Sequence, residues 1–117
     1  MQTEKIIETA VKALDSKKAI NLSCVKVADL TVLTEYFLIA SATSSTHVRA
    51  LAEEVEDKLS KQGLEPRNIE GRATNWHLLD YGSVIVHVFT ADAREFYNLD
   101  RIWDDGEHIE LSDIIGE

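Results

Sequence analysis

Residues 76–90 read Trp76-His77-Leu78-Leu79-Asp80-Tyr81-Gly82-Ser83-Val84-Ile85-Val86-His87-Val88-Phe89-Thr90. Two β-prone runs are joined by two residues, the first a glycine, which is the signature of a type II′ turn. The stretch therefore predicts a hairpin with strands at 76–81 and 84–90. A two-residue loop also sets the register: Tyr81 opposite Val84, Leu78 opposite His87 and Trp76 opposite Phe89.

Working outward, Tyr36-Phe37-Leu38-Ile39-Ala40 is a continuous apolar run, suited to a strand covered on both faces. Residues 41–46 offer several capping side chains for a helix running to about Gln62. Its inner stripe is Val48, Leu51, Ala52, Val55 and Leu59; Arg49–Glu53, Glu54–Lys58 and Asp57–Lys61 pair at i,i+4 outside, and Gly63 ends it. Residues 66–70 suit a short strand with Pro66 at its start or edge, and 71–75 a loop holding Arg72. Near the N-terminus, Thr3 is placed to cap a helix carrying Ile6, Ile7, Ala10, Val11 and Leu14, with Glu8–Lys12 as a favourable pair. Lys17 and Lys18 close it, a strand follows at 22–27, and 30–35 is a connector. Residues 91–103 read as one helix displaying Arg94, Phe96, Tyr97, Leu99 and Trp103. The order α-β-β-α-β-β-β-α predicts an α/β fold, a mixed sheet of about five strands with helices packed over it.

The chain has 117 residues, 44% hydrophobic and 28% charged, the composition of one globular domain. That domain is expected across 1–105, followed by an acidic tail at 106–117. From Asp104 onward there are six acids and no Lys or Arg; the preceding 103 residues carry 15 acids against 12 bases, so the tail dominates the formal charge of −9. Acidity opposes binding to phosphate backbones and favours a basic protein surface. The plainer role for such a tail is solubility. Cys24 is the single cysteine, so no disulfide can form within the chain. The scattered charges Glu4, Lys5 and Glu8 do not fit a secretory signal, and no run approaches the length of a membrane helix. The expected location is the cytoplasm or its equivalent inside an organelle.

A search for chemistry finds little. Zinc needs three or four clustered ligands. Cys24 is alone, and His47, His77, His87 and His108 fall on different elements. The hairpin register puts His77 and His87 on opposite faces of the sheet. Glycines at 63, 71, 82, 106 and 116 write neither a phosphate loop nor a dinucleotide fingerprint, and no Gly-x-Ser-x-Gly elbow is present. A Gly-Ser turn in a mixed sheet invites comparison with nucleotidyltransferases, which place paired metal-binding carboxylates on the strand after it. Here that strand, 84–90, contains no acid, and two positions beyond Asp92 stands Arg94. No metal, no cofactor and no catalysis are expected. The residues suit binding.

The motifs Glu70-Gly71, Trp76-x-Leu78-Leu79-Asp80-Tyr81-Gly82, Val84-x-Val86-His87-x-Phe89, Arg94-x-Phe96-Tyr97-x-Leu99 and Trp103 together resemble the signature of the ribosomal silencing factor family, also called Iojap proteins. Tyr36 to Ser41 and Ser45-x-His47-Val48-x-Ala50 match as well, so the resemblance runs from about residue 3 to Asp105. Glu35 stands where the family usually has Asp, Ser83 replaces an acid and Asp100 replaces Glu; all keep polarity. The resemblance implies a nucleotidyltransferase-like fold without the catalytic carboxylates. It implies binding to the large ribosomal subunit through its ribosomal protein fourteen, a block on joining of the small and large subunits, and repression of translation under nutrient limitation. It further implies a homodimer when free. The alternatives are an assembly adaptor of the large subunit and, from another class, a vestigial nucleotidyltransferase.

Trp76 and Asp80 share one face of the hairpin because strand side chains alternate, Tyr81 lies at its turn, and Tyr97 and Asp100 follow on the next segment. These five, Trp76, Asp80, Tyr81, Tyr97 and Asp100, form the expected partner-binding patch, aromatic anchors beside acids. The competing role for each aromatic is membership of the core, and for Asp100 a structural ion pair.

Overall fold

The amphipathic stripe at the N-terminus forms α1 (Thr3–Ser16), which buries Ile6, Ile7, Ala10, Val11 and Leu14. Thr3 is the first helical residue, and Gln2 takes the cap position without a side-chain bond, so the expected Thr3 cap is not made. In the computed structural model, residues 2–28, 30–71, 75–102 and 104–112 are described, apart from the side chains of Leu99 and Ile102. The next elements are β1 (Ile20–Lys26), β2 (Tyr36–Ala42) and α2 (Ser45–Ser60). Ser44 caps α2 by accepting from the His47 N–H, and all five residues expected on its inner stripe are buried. The His47 ring clasps the two helices. Its Nδ1 accepts from the Thr43 N–H at 2.9 Å, which leaves Nε2 to donate to the Lys17 carbonyl at 2.8 Å.

Then come β3 (Asn68–Glu70), β4 (Trp76–Asp80), β5 (Val84–Thr90), α3 (Ala91–Tyr97), α4 (Leu99–Ile102) and β6 (Glu107–Ile109). The six strands form one sheet in the order β3-β4-β5-β2-β1-β6. β2 and β5 run parallel at its centre, and the other neighbours are antiparallel. The hairpin has the expected register, with Trp76 opposite Phe89 and Leu78 opposite His87. Its turn is a tight bend: Gly82 sits at φ +86, the Ser83 N–H reaches the Tyr81 carbonyl, and the Asp80 carboxylate accepts from the Gly82 N–H at 2.8 Å.

Two further features differ from the sequence reading. A sixth strand, Glu107–Ile109, lies in the segment read as an acidic tail and pairs with Cys24 to Lys26. Three residues, two of them polar, carry no periodicity, and short charged strands are the usual way to blunt a sheet edge. The helix expected over 91–103 is broken, because Asn98 adopts the left-handed conformation at φ +53 and separates α3 from α4. Asparagine tolerates that region better than other side-chain-bearing residues. Trp103 lies outside the described residues, as does Arg72.

Strand alternation divides the core. Leu38, Ala40, Leu79, Tyr81, Val84, Val86 and Val88 face α1 and α2. Val25, Phe37, Ile39, Ile85 and Phe89 face the other way, with Trp76, Leu78 and Ala93 of α3 packed on them. Both faces of β5 are therefore covered. A Cβ at Gly82 would meet Arg67 only at ordinary contact distance, so the cost of a side chain there is conformational. Gly82→Ala is expected to lower stability by about 1–2 kcal/mol, read by urea unfolding, through the positive φ alone; an unchanged midpoint contradicts this account of the turn.

Candidate functional site

Arg94 builds the platform for the surface on the second face. β1 is irregular between Ile20 and Ser23, where Asn21 sits at φ +51. The Asn21 carbonyl accepts from Arg94 Nη1 at 2.5 Å, and Ser41 Oγ accepts from the same nitrogen at 3.0 Å. The other edge of the guanidinium grips Asp100 at two points, Nε to Oδ2 at 3.0 Å and Nη2 to Oδ1 at 2.8 Å. Five fixed donors in one plane allow a single side chain to tie α3 and α4 to β1 and β2. The Arg94 hydrogen bond holds the Asp100 carboxyl below its ordinary range; partial burial opposes it and the guanidinium charge adds to it. The break at Asn98 lets Asp100 turn back to Arg94.

On this platform Thr90 caps α3, accepting from the Ala93 N–H at 3.2 Å. The short helix then delivers Tyr97 onto Trp76, ring centroids 4.6 Å apart, while Trp76 stacks on Phe89 at 4.9 Å. Phe96 meets Tyr97 edge-on at 5.1 Å. Phe96 is 81% exposed and Tyr97 47%, an unusual outlay of aromatic surface for so short a helix. An open groove runs beside them, lined by Glu70, Asn75, Trp76, Asp92, Phe96 and Tyr97. Aromatic walls with Glu70 and Asp92 among the lining residues suit a partner that brings an apolar anchor flanked by basic groups.

Beneath the rings lies His87, buried in the middle of β5. Trp76 Nε1–H donates to His87 Nδ1 at 3.1 Å. Nε2 has no hydrogen-bond partner among the described residues. Phe37 packs against the imidazole at right angles, centroids 4.8 Å apart, and Phe89 lies nearly parallel at 6.0 Å. Burial pushes the imidazole down to about 4, so the ring is neutral. His77 is on the opposite face, as the register requires.

Of the five residues expected in one patch, the structure gathers only some. Trp76 and Tyr97 are in ring contact. Asp80 shares the Trp76 face but lies four residues along the strand, roughly 13 Å away, and its carboxylate holds the Gly82 turn. Tyr81 belongs elsewhere: one step along from Asp80, it points to the helical face and is 5% exposed. Burial, with the charges of Glu56 and Glu65, raises its hydroxyl's pKa. Asp100 is occupied by Arg94. Phe96, Asp92 and Glu70 lie outside the expected patch; Phe96 and Glu70 stand in the family motifs, but only the fold brings all three to the groove beside Trp76 and Tyr97. No group of three or more His, Cys, Asp and Glu side chains is placed to hold a metal among the described residues. Burial drives the Cys24 thiol up to about 12, far from nucleophilic character. No described helix is long and apolar enough to cross a membrane.

A mixed sheet with two helices on one face and an aromatic groove on the other defines an α/β protein with a candidate contact surface. The chain matches the family described as "Ribosomal silencing factor during starvation" over residues 1–117. It is 34% identical over 116 residues to the ribosomal silencing factor of Halalkalibacterium halodurans, covering 98% of this chain and 99% of that one. It is 32% identical over 100 residues to the chloroplastic protein Iojap of Zea mays, covering 86% of this chain and 44% of that longer protein. The crystal structure of a Chromobacterium violaceum protein superposes with a TM-score of 0.86 at 30% identity, over 89% of this chain and 88% of that one. This protein belongs to the ribosomal silencing factor family.

The depressed His87 pKa makes a prediction about stability. Below about pH 6.5 the unfolded chain takes up a proton that the folded ring refuses, so stability is lost as pH falls from about 6.5 toward 4. The full loss is about 3 kcal/mol. His87→Leu removes this contribution. Its stability relative to wild type, from urea unfolding, is expected to improve by about 2–3 kcal/mol between pH 7 and 4.5. A difference that stays constant with pH contradicts the buried neutral imidazole.

Proposed function

We propose that this protein docks on the large ribosomal subunit through ribosomal protein fourteen, prevents the small subunit from joining, and so represses translation when nutrients are limiting. Membership of the family carries this reading. The exposed Phe96–Tyr97–Trp76 groove supports it by supplying a surface of suitable chemistry: apolar walls for an anchor, with Glu70 and Asp92 for basic side chains. The formal charge of −9 favours a basic protein over bare RNA. Binding is enough for the task, because a body 31–33 Å across seated on a joining surface obstructs it without chemistry. The same reading makes the free chain a cytoplasmic homodimer, a state that light scattering checks.

A second reading is assembly of the large subunit. A mouse relative, 31% identical over 101 residues, is named for mitochondrial assembly of the ribosomal large subunit; this chain spans 44% of its length. Subunit association separates the two. Added to purified subunits, the protein is expected to cosediment with the large one and to lower the fraction of joined ribosomes; binding without an effect on joining favours assembly.

The groove is tested with its exposed rings. Phe96→Ala is expected to remain within about 0.5 kcal/mol of wild type in stability, because an exposed side chain contributes little to folding. Truncating an interface anchor typically costs about 2 kcal/mol, roughly thirtyfold in affinity. Phe96→Ala and Tyr97→Ala should each weaken large-subunit binding by that order. Folded variants that bind like wild type place the contact elsewhere.

A further inference from the structure

Position 87 is a poor place for a histidine. Its described neighbours are rings, Phe37, Phe89 and Trp76, and the strand around it is Val84, Ile85, Val86, Val88 and Phe89. Because Nδ1 accepts from the Trp76 indole, the proton of the neutral ring sits on Nε2, where no acceptor is present among the described residues. An apolar residue there would remove the unsatisfied Nε2–H, and with it the acceptor that Nδ1 offers the Trp76 indole. Among the described residues, the one side-chain hydrogen bond of His87 is the acceptor it offers to Trp76.

Among the described contacts of Trp76, that one distinguishes the two ways its indole could lie. Trp76 is the diagonal cross-strand neighbour of His87, since Leu78 pairs with His87 and Trp76 with Phe89. Stacking on Phe89 and against Tyr97 holds the plane of the indole, but a planar ring can be turned over in such a slot. Only one orientation brings Nε1–H to His87. We infer that His87 is a positioning residue: its Nδ1 locks the Trp76 indole in one orientation and so presets the wall of the groove on which Tyr97 rests. This rests on the reading that Trp76 and its groove contact the large subunit. Without the lock, binding has to select one of two ring orientations and loses the hydrogen bond that favoured it. Together these correspond to roughly five- to tenfold in affinity.

The test uses the full chain, purified large ribosomal subunits as the probe, and four proteins besides wild type: His87→Leu, His87→Asn, Trp76→Phe and the double variant His87→Leu/Trp76→Phe. Leucine removes the acceptor and keeps apolar bulk; asparagine places an amide oxygen near the position of Nδ1. His87→Leu is expected to unfold cooperatively at or above the wild-type midpoint and yet bind roughly five- to tenfold more weakly. His87→Asn should recover part of that loss in spite of its smaller volume. In the Trp76→Phe background, which lacks the donor, His87→Leu should change binding less than about twofold. The indole N–H resonance of Trp76, assigned by its disappearance in Trp76→Phe, should stand at a hydrogen-bonded shift in wild type and move upfield in His87→Leu. A purely structural histidine gives binding that follows stability, and effects that multiply in the double variant; either result overturns the proposal. So does a wild-type indole resonance at a free N–H shift, which decides the matter even if the leucine variant does not fold. Wild-type binding by Trp76→Phe overturns the groove reading itself. Loss in Trp76→Phe with none in His87→Leu overturns only the role of His87.

Discussion

Alternation along β5 is the constraint from which the rest of the structure follows. Successive side chains of a strand leave on opposite faces, and β5 lies between β4 and β2 with both faces covered. Val84, Val86 and Val88 are committed to the helical side, where they meet α1 and α2. Ile85, His87 and Phe89 are committed to the other, where they form the floor beneath Trp76 and α3. The turn at Gly82 passes this division to β4. A shift of one residue would exchange the faces, burying Trp76 under the helices and turning Leu79 outward.

The two faces have different tasks. On the helical side, apolar residues of α1 and α2 close over the sheet and supply the main core. On the other side, α3 is only seven residues long and has no fully buried residue of its own. It is held less by apolar burial than by polar anchorage, the Thr90 cap and the Arg94 guanidinium gripping Asn21, Ser41 and Asp100. This frees its aromatic side chains from core duty. Phe96 and Tyr97 face a groove instead of a core, which is the physical basis for treating them as contact residues.

The solved relatives show the same architecture at about one-third identity. The family relation assigns the general role, and the groove is the surface proposed to carry it out. The proposed contact would need a fixed platform and exposed rings; Arg94 ties α3 to the sheet, and Phe96 and Tyr97 are exposed.

Much of this was legible in the chain. The hairpin, its register and the opposite facing of His77 and His87 followed from a Gly-Ser pair between two β-prone runs, because turn length and alternation are local constraints. The two long helices followed from their stripes, and the family from the long Trp-to-Trp block. Other features were decided by packing. Asn98 breaks the last helix because the segment must return Asp100 to Arg94, a contact bridging six residues. Arg94 itself depends on a carbonyl turned outward at Asn21, 73 positions away. β6 is a strand only because the edge of β1 is there to receive it. Tyr81 and Asp100 had the residue types of a contact patch, yet one points into the core and the other is spent on a guanidinium. Residue type and spacing state what a side chain is able to do; which face it leaves and what meets it there depend on contacts far apart in the chain.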